Sequence, residues 1–330
     1  MSDMSAVDLF NTIRKEARVA IKSSADEEQA RIQELYDRVD STVKNWSEPV
    51  KCSYPDCRST SIRNSHTVQS AALKNGLGSE LRGPTWDSKS SKLTVGKISA
   101  RSSSVFPGYC KQHEAMFHFE KSVHLKNVQD DALQAMRTLH REAWLISSRS
   151  SLANSLQALA SQILKVDSAQ DFLSSDDKER IESVKKWCAD FCMAQDSMRV
   201  RIMPTIERLE ALGTDESQAK RPAWLFAADM DKQPFALLAT VMLDGLELAP
   251  LISLTLLPNQ QKSRVIATVE ADFDCILPKY VESNFSEKVF SNTMLKFLKD
   301  GTLDWYASAS WWNSLTAGER SEIEIEIEVD

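Results

Sequence analysis

Between residues 3 and 46 apolar side chains recur at threes and fours among charges, at Leu9, Ile13, Ile32, Leu35, Val39, Val43 and Trp46. That spacing is the 3.6-residue period of an amphipathic helix, with a break expected near Ser23 and Ser24. The stripe needs an apolar surface to lie on, supplied by later helices of the same chain or by a second copy in a homodimer. The same period returns from about Lys121 to Val166 through Val128, Leu133, Met136, Leu139, Trp144, Leu152, Leu156, Leu159 and Ile163. A further helix is predicted from Ser175 to Leu212, closed by Gly213 and kinked at Pro204. The two long helices suit an antiparallel hairpin.

Beyond a polar linker at Thr214 to Arg221, the runs Phe235–Leu243, Leu251–Leu257 and Ser263–Phe273 are rich in Val, Ile, Leu and Thr, with turn-forming Asp244-Gly245 and Pro258-Asn259 between them. They predict neighbouring strands of an antiparallel sheet. Helices are expected over Ser286–Lys299 and near Ser310–Glu322. The closing SEIEIEIEVD alternates glutamate with apolar residues, which predicts an edge strand, or an acidic tail that covers a basic surface. The expected class is α+β, in four segments: an N-terminal helical segment at 1–48, a loop-rich module at 49–120, the helical hairpin at 121–213 and a C-terminal α+β domain at 214–330.

The module at 49–120 stands apart because periodicity vanishes there and Ser, Gly, Pro, Cys and His take over. Its middle, from Gly76 to Ser104, reads as a long mobile insertion. No segment approaches the roughly 20 uninterrupted apolar residues of a membrane span, and the N-terminus has no signal-peptide pattern, so a cytoplasmic location and no membrane partner are expected. The chain has a net charge of -7. Even so, from Lys51 to Lys111 ten basic residues face three acidic ones. A basic island on an acidic body suits a polyanion, and nucleic acid, DNA in the first place, is the expected partner. Arg58, Arg63, Lys74, Arg82, Lys97 and Arg101 are the candidate nucleic-acid-binding residues.

All five histidines, His66, His113, His118, His124 and His140, and three of the six cysteines cluster in one region. Cys52-x4-Cys57 and Cys110-x2-His113 supply four soft or borderline ligands, the set that Zn2+ favours, and a reducing compartment makes metal ligation more common than disulfides. A structural Cys3His zinc site would hold together a segment with little apolar core of its own. The alternative is buried thiols without metal beside a surface histidine.

Ser65-His66 and Phe106-Pro107-Gly108-Tyr109-Cys110-x2-His113-Glu114-x2-Phe117, together with the Cys52/Cys57 pair, resemble the HNH, or ββα-metal, nuclease superfamily. They are closer still to a group of uncharacterised bacterial proteins with a C-x4-C, S-H, G-[FY]-C-x2-H-[DE]-x2-F pattern. The resemblance covers about 70 residues. It implies phosphodiester hydrolysis with His66 as general base, Glu114 as a catalytic-metal ligand, His118 as a second one, and Mg2+ or Mn2+ as the catalytic cation. It also suggests bacterial defence against foreign nucleic acid as a setting. Where HNH sequences carry an asparagine, this chain has Ser103, Ser104 and Val105. The competing reading is a non-catalytic, treble-clef-like finger that binds nucleic acid or protein, acting as scaffold or regulator, with His66 fixing the knuckle by a hydrogen bond.

Elsewhere, Cys188 and Cys192 read as buried structural thiols, Cys275 as core, and His124 and His140 as solvated or capping residues. Trp305, Tyr306, Trp311 and Trp312 form an aromatic cluster suited to covering a sheet, or less readily to stacking bases. No Walker loop, dinucleotide fingerprint or nucleophile elbow is present.

Overall fold

The structure, a computed structural model, describes residues 6–23, 26–45, 48–87, 92–120, 125–165, 173–215, 217, 220–242, 250–270, 273–274, 276–277 and 304–329. Trp46, His124, Cys275 and the helix expected over 286–299 lie outside them. The chain divides into two compact units, 1–48 with 144–200 and 49–143 with 201–330. No described helix is long and apolar enough to cross a membrane.

The first unit is helical. α1 (Ala6–Ser23) and α2 (Asp26–Lys44) flank the serine pair at which the break was expected. Their apolar stripes close against the later parts of α5 (Val128–Ile163) and the earlier parts of α6 (Ser175–Thr214). Ile13, Ile32 and Val39 share one core with Leu156, Leu159, Ile163, Ile181 and Val184. Ala17, Ala20, Ala153 and Ala160 lie in the same core, where small side chains let helices approach. The helical stripe is thus covered by the chain itself. Cys188 is buried here, as expected, and burial pushes its thiol up to about 12.

The second unit is built on a seven-stranded antiparallel sheet in the order β3-β2-β9-β6-β7-β8-β5. Its strands are β2 (Glu80–Asp87), β3 (Lys92–Ser99), β5 (Leu225–Asp231), β6 (Phe235–Met242), β7 (Leu251–Pro258), β8 (Lys262–Val269) and β9 (Trp305–Ser308). A two-stranded ribbon pairs β1 (Ser65–His66) with β4 (Val105–Phe106). One sheet face carries Leu237, Leu254, Val265 and Trp305 against Trp312 and Ile323. The opposite face carries Ala236, Leu238, Leu81 and Tyr306 against Val68, Leu73 and Leu77 of the segment around α3 (Ser70–Leu77). Alternation along β9 therefore sends Trp305 and Tyr306 to opposite faces, and both rings serve the core.

Several expectations are corrected. The stretch read as a mobile insertion is the β2–β3 hairpin, paired from Glu80↔Ser99 to Asp87↔Lys92. Gly83 and Gly96 face each other in this ladder, and a Cβ on Gly83 would lie 2.6 Å from the Trp305 carbonyl oxygen. These glycines permit close approach and do not break the strands. The C-terminal alternation is helical: α7 (Ala309–Ser314) is followed by α8 (Ala317–Val329). Thr316 and Glu319 form a capping box, the Glu319 carboxylate accepting from the Thr316 amide at 2.7 Å and the Thr316 hydroxyl from the Glu319 amide at 3.2 Å. That local nucleus, with the high helix propensity of glutamate, outweighs the period-two pattern. Gly213 lies inside α6, next to its last residue, and does not close it. A Cβ on Gly213 would meet Leu133 Cδ2 at 2.7 Å. His140 is buried, not solvated.

Candidate metal centre

The first ligand pair sits on a tight knuckle. The Cys52 amide donates to the Ser59 carbonyl at 2.9 Å and the Cys57 amide to the Tyr54 carbonyl at 3.2 Å. Asp56 takes φ 56°, the left-handed conformation that aspartate tolerates better than most residues. The second pair opens the short helix α4 (Lys111–Glu114). Cys110 is extended, at φ -73° and ψ 165°, and caps this helix, and His113 follows within its single turn.

Three backbone groups join the two stretches. The Ser53 amide donates to the Gly108 carbonyl and the Ile62 amide to the Tyr109 carbonyl, each at 2.7 Å. The Cys110 amide donates to Cys52 Sγ at 3.2 Å, an interaction that favours thiolate. Gly108 is required by packing, because a Cβ there would strike the Phe106 ring.

Cys52, Cys57, Cys110 and His113 converge, their ligand atoms all within 4.8 Å of one another. His113 Nδ1 is 3.5 Å from both Cys52 Sγ and Cys110 Sγ, and Cys57 Sγ is 4.0 Å from Cys110 Sγ. A tetrahedral zinc ion with ordinary bond lengths needs about 3.6 Å between nitrogen and sulfur and about 3.8 Å between sulfurs. The donors and their spacing fit that ion. Tyr54 stacks on the His113 ring at 4.0 Å and 19°, which holds the imidazole plane while Nδ1 faces the sulfurs. Burial pushes the Cys52 thiol up to about 11, whereas hydrogen bonds from Ser59, its backbone amide first, lower that of Cys57. Metal binding would displace thiol protons, so affinity falls with acidity.

Behind the centre lies a ring cluster. Tyr109 is fully buried between Phe106, Phe117 and His140. Its hydroxyl is hydrogen-bonded to His140 Nδ1 at 2.6 Å. Burial drives His140 down to about 4, so it is neutral at physiological pH.

The residues expected to carry hydrolysis are placed as follows. His66 stands opposite Val105 in the β1–β4 ribbon, and its Nδ1–H donates to the Ser103 carbonyl at 3.2 Å. Ser103 and Ser104, where the resemblance would expect an asparagine, are buried. The Ser104 hydroxyl donates to the Val68 carbonyl at 2.7 Å, and its amide to the Tyr306 hydroxyl at 2.8 Å. Glu114 forms an ion pair with Arg137, whose guanidinium is fully buried and lies 4.3 Å from the Phe117 ring centroid. His118 is exposed, its Nε2 3.3 Å from Asp130 Oδ1. Among the described residues the Cys3His cluster is the one group of metal-ligating side chains that converges, and His66, Glu114 and His118 form no second one.

The candidate basic residues divide by location. Arg58 and Arg63 are exposed beside the knuckle, with Lys51 exposed just before it and Lys111 exposed at the start of α4. Lys74 is exposed on α3 and Arg101 just past β3. Arg82 and Lys97, opposite each other in the β2–β3 hairpin, share Glu80 at 3.7 and 3.3 Å.

Sequence reasoning missed Tyr54, Arg137 and the Tyr109–His140 pair. Only Tyr54 carried a signal, its place inside the Cys-x4-Cys turn. No protein-family description, curated protein sequence or solved structure matches the chain.

Proposed function

We propose that this protein is a zinc-structured nucleic-acid-binding protein, whose finger binds the phosphate backbone without cleaving it. The observation that carries the reading is the convergence of Cys52, Cys57, Cys110 and His113 at zinc-compatible spacing, on two stretches whose exposed bases include Lys51, Arg58 and Arg63 about the knuckle and Lys111 on α4. Such bases gain affinity by releasing counterions from the polyanion. The Glu114–Arg137 pair favours binding over hydrolysis, since a catalytic cation at Glu114 would compete with a buried guanidinium for the same carboxylate.

The test is elemental analysis of purified protein followed by fluorescence anisotropy with labelled DNA and RNA. One zinc per chain is expected. Replacing Arg58 and Arg63 by alanine should weaken binding and reduce the salt slope by about 2. Protein without zinc, or an unchanged slope, overturns the proposal.

A second reading is HNH-type hydrolysis with Mg2+ or Mn2+, Glu114 and His118 serving the cation. It is favoured by His66, where an Nδ1–H held on the Ser103 carbonyl leaves the imidazole lone pair on Nε2, as a general base requires. Plasmid cleavage that is lost in His66→Ala decides for it. Cleavage that survives this substitution, or no cleavage with either cation, decides against it. Bacterial defence rests on the resemblance alone, and a cytoplasmic location on the chemistry of reduced cysteines.

A further inference from the structure

An open cleft of about 660 Å³ lies between the end of α3, the β5–β6 turn and the start of α7. Its walls include Lys74, Gly78, Lys232, Gln233, Ser310 and Trp311, and no carboxylate lines it. That is unusual on a chain with 47 acidic residues against 40 basic ones. In the same unit Lys97 is paired with Glu80. Among the described residues, neither the Lys74 nor the Lys232 ammonium forms an ion pair.

The cleft is held open by backbone. The Ser308 amide donates to the Pro234 carbonyl at 2.8 Å, which fixes the turn against β9. Gly78 has φ +102° and nothing within 4 Å of the place a Cβ would occupy, so the floor beside Lys74 stays bare. The Trp311 indole is half-buried and is backed by the Phe235 ring at 5.6 Å, which limits its movement. Two uncompensated ammonium groups, a fixed indole and side-chain amide and hydroxyl groups are the elements that recognise a phosphate joined to a flat heterocycle.

We propose that this cleft binds a nucleoside 5′-phosphate, with the phosphate between Lys74 and Lys232 and the base against Trp311. The same chemistry comes from a free nucleotide or from the phosphorylated end of a nucleic-acid strand. The site is separate from the metal centre and does not depend on the reading given for it.

The test is calorimetric titration of the full zinc-loaded chain with AMP, adenosine and inorganic phosphate. AMP should bind more tightly than either fragment. Lys74→Ala and Lys232→Ala, both at exposed positions, should each weaken AMP by about tenfold, the loss of one charge-assisted contact. Trp311→Phe, which keeps a ring against Phe235, should weaken AMP while leaving phosphate unchanged. Competition then identifies the source. If a 5′-phosphorylated oligonucleotide displaces AMP and its 5′-hydroxyl counterpart does not, the ligand is a strand end; if neither displaces it, the ligand is the free nucleotide. Arg58→Ala/Arg63→Ala should leave AMP binding intact, which separates this site from the finger. No saturable AMP binding up to about 5 mM, weaker than any specific site of this kind, overturns the proposal, as does unchanged affinity in the Lys74→Ala/Lys232→Ala variant with an unaltered thermal midpoint.

Discussion

Glu114 is the residue on which a catalytic and a structural role predict opposite results. Arg137 is fully buried and the Glu114 side chain is 17% exposed, so the two ends of the pair differ in their access to water. In Glu114→Gln the shape is kept but the carboxylate charge that faces the buried guanidinium is removed. Removing one partner of a buried pair costs about 3–5 kcal/mol. The Phe117 face, 4.3 Å from the guanidinium carbon, is there with or without Glu114 and leaves that cost unchanged. For a unit of this size each kcal/mol lowers the midpoint by roughly 2–4 °C, so a fall of about 6–20 °C is expected. Arg137→Met should cost less, because the remaining carboxylate can turn toward solvent. Glu114→Gln/Arg137→Met should regain most of the loss, since an apolar side chain replaces a desolvated ion pair without an orphaned charge. Differential scanning calorimetry of the three variants checks this order. If Glu114 serves chiefly to hold a cation, Glu114→Gln abolishes cleavage and leaves the midpoint where it was, and the structural reasoning is refuted.

Two further outcomes follow from buried groups. His140 ionises at about 4 in the folded protein against 6.5 when solvated, so the unfolded chain binds the extra proton first as pH falls. Its contribution is complete above pH 6.5 and is lost between pH 6.5 and 4, about 3 kcal/mol in all; urea unfolding across that window should show this excess loss relative to His140→Gln, with the metal centre common to both proteins, and parallel curves would contradict it. Gly213→Ala would press a methyl group to within 2.7 Å of Leu133 Cδ2 and should destabilise by about 1–3 kcal/mol, an effect that Leu133→Ala in the same chain should partly relieve if the contact is the cause.

The Cys3His cluster was legible because its chemistry is rare and its spacing short. Cys52-x4-Cys57 and Cys110-x2-His113 are each set by one turn of backbone, and side chains a few residues apart need little further information to converge. Strands β6, β7 and β8 were legible for a similar reason, as long β-branched runs bounded by turn formers. β2 and β3 were not, since Gly83, Pro84 and Gly96 resemble breakers until their neighbours are known. The pairing of β2 with β9 extends only over Leu81 and Arg82, so proline two residues further on faces no third strand among the described residues, and Gly83 answers a contact from Trp305, more than 200 residues away in the chain, while Gly96 answers one from Thr85 on the paired strand. The tail failed for the opposite reason: the alternation was real, but a capping box of four residues had already set the helix.

The least legible feature is also what ties the Cys3His cluster to a larger body. The stretches that carry the cluster and the C-terminal sheet belong to one compact unit, and a buried polar chain connects them. Arg141 of α5 donates to the Val105 carbonyl at 2.8 Å and to Asp304 Oδ1 at 2.9 Å. The Tyr306 hydroxyl donates to the same Asp304 oxygen and accepts from the Ser104 amide, both at 2.8 Å. Ser104 takes φ 52°, a conformation costly for serine that this network holds in place. The carbonyl just before it, on Ser103, is the one that orients His66. The position of His66 is therefore set from the sheet through Tyr306 and Asp304 as well as from the knuckle. Its geometry does not depend on the metal alone, because the amide-to-carbonyl bonds of Ser53 and Ile62 already join the two ligand stretches. A metal bound at the cluster would add its free energy to a backbone frame that the rest of the unit has largely pre-organised.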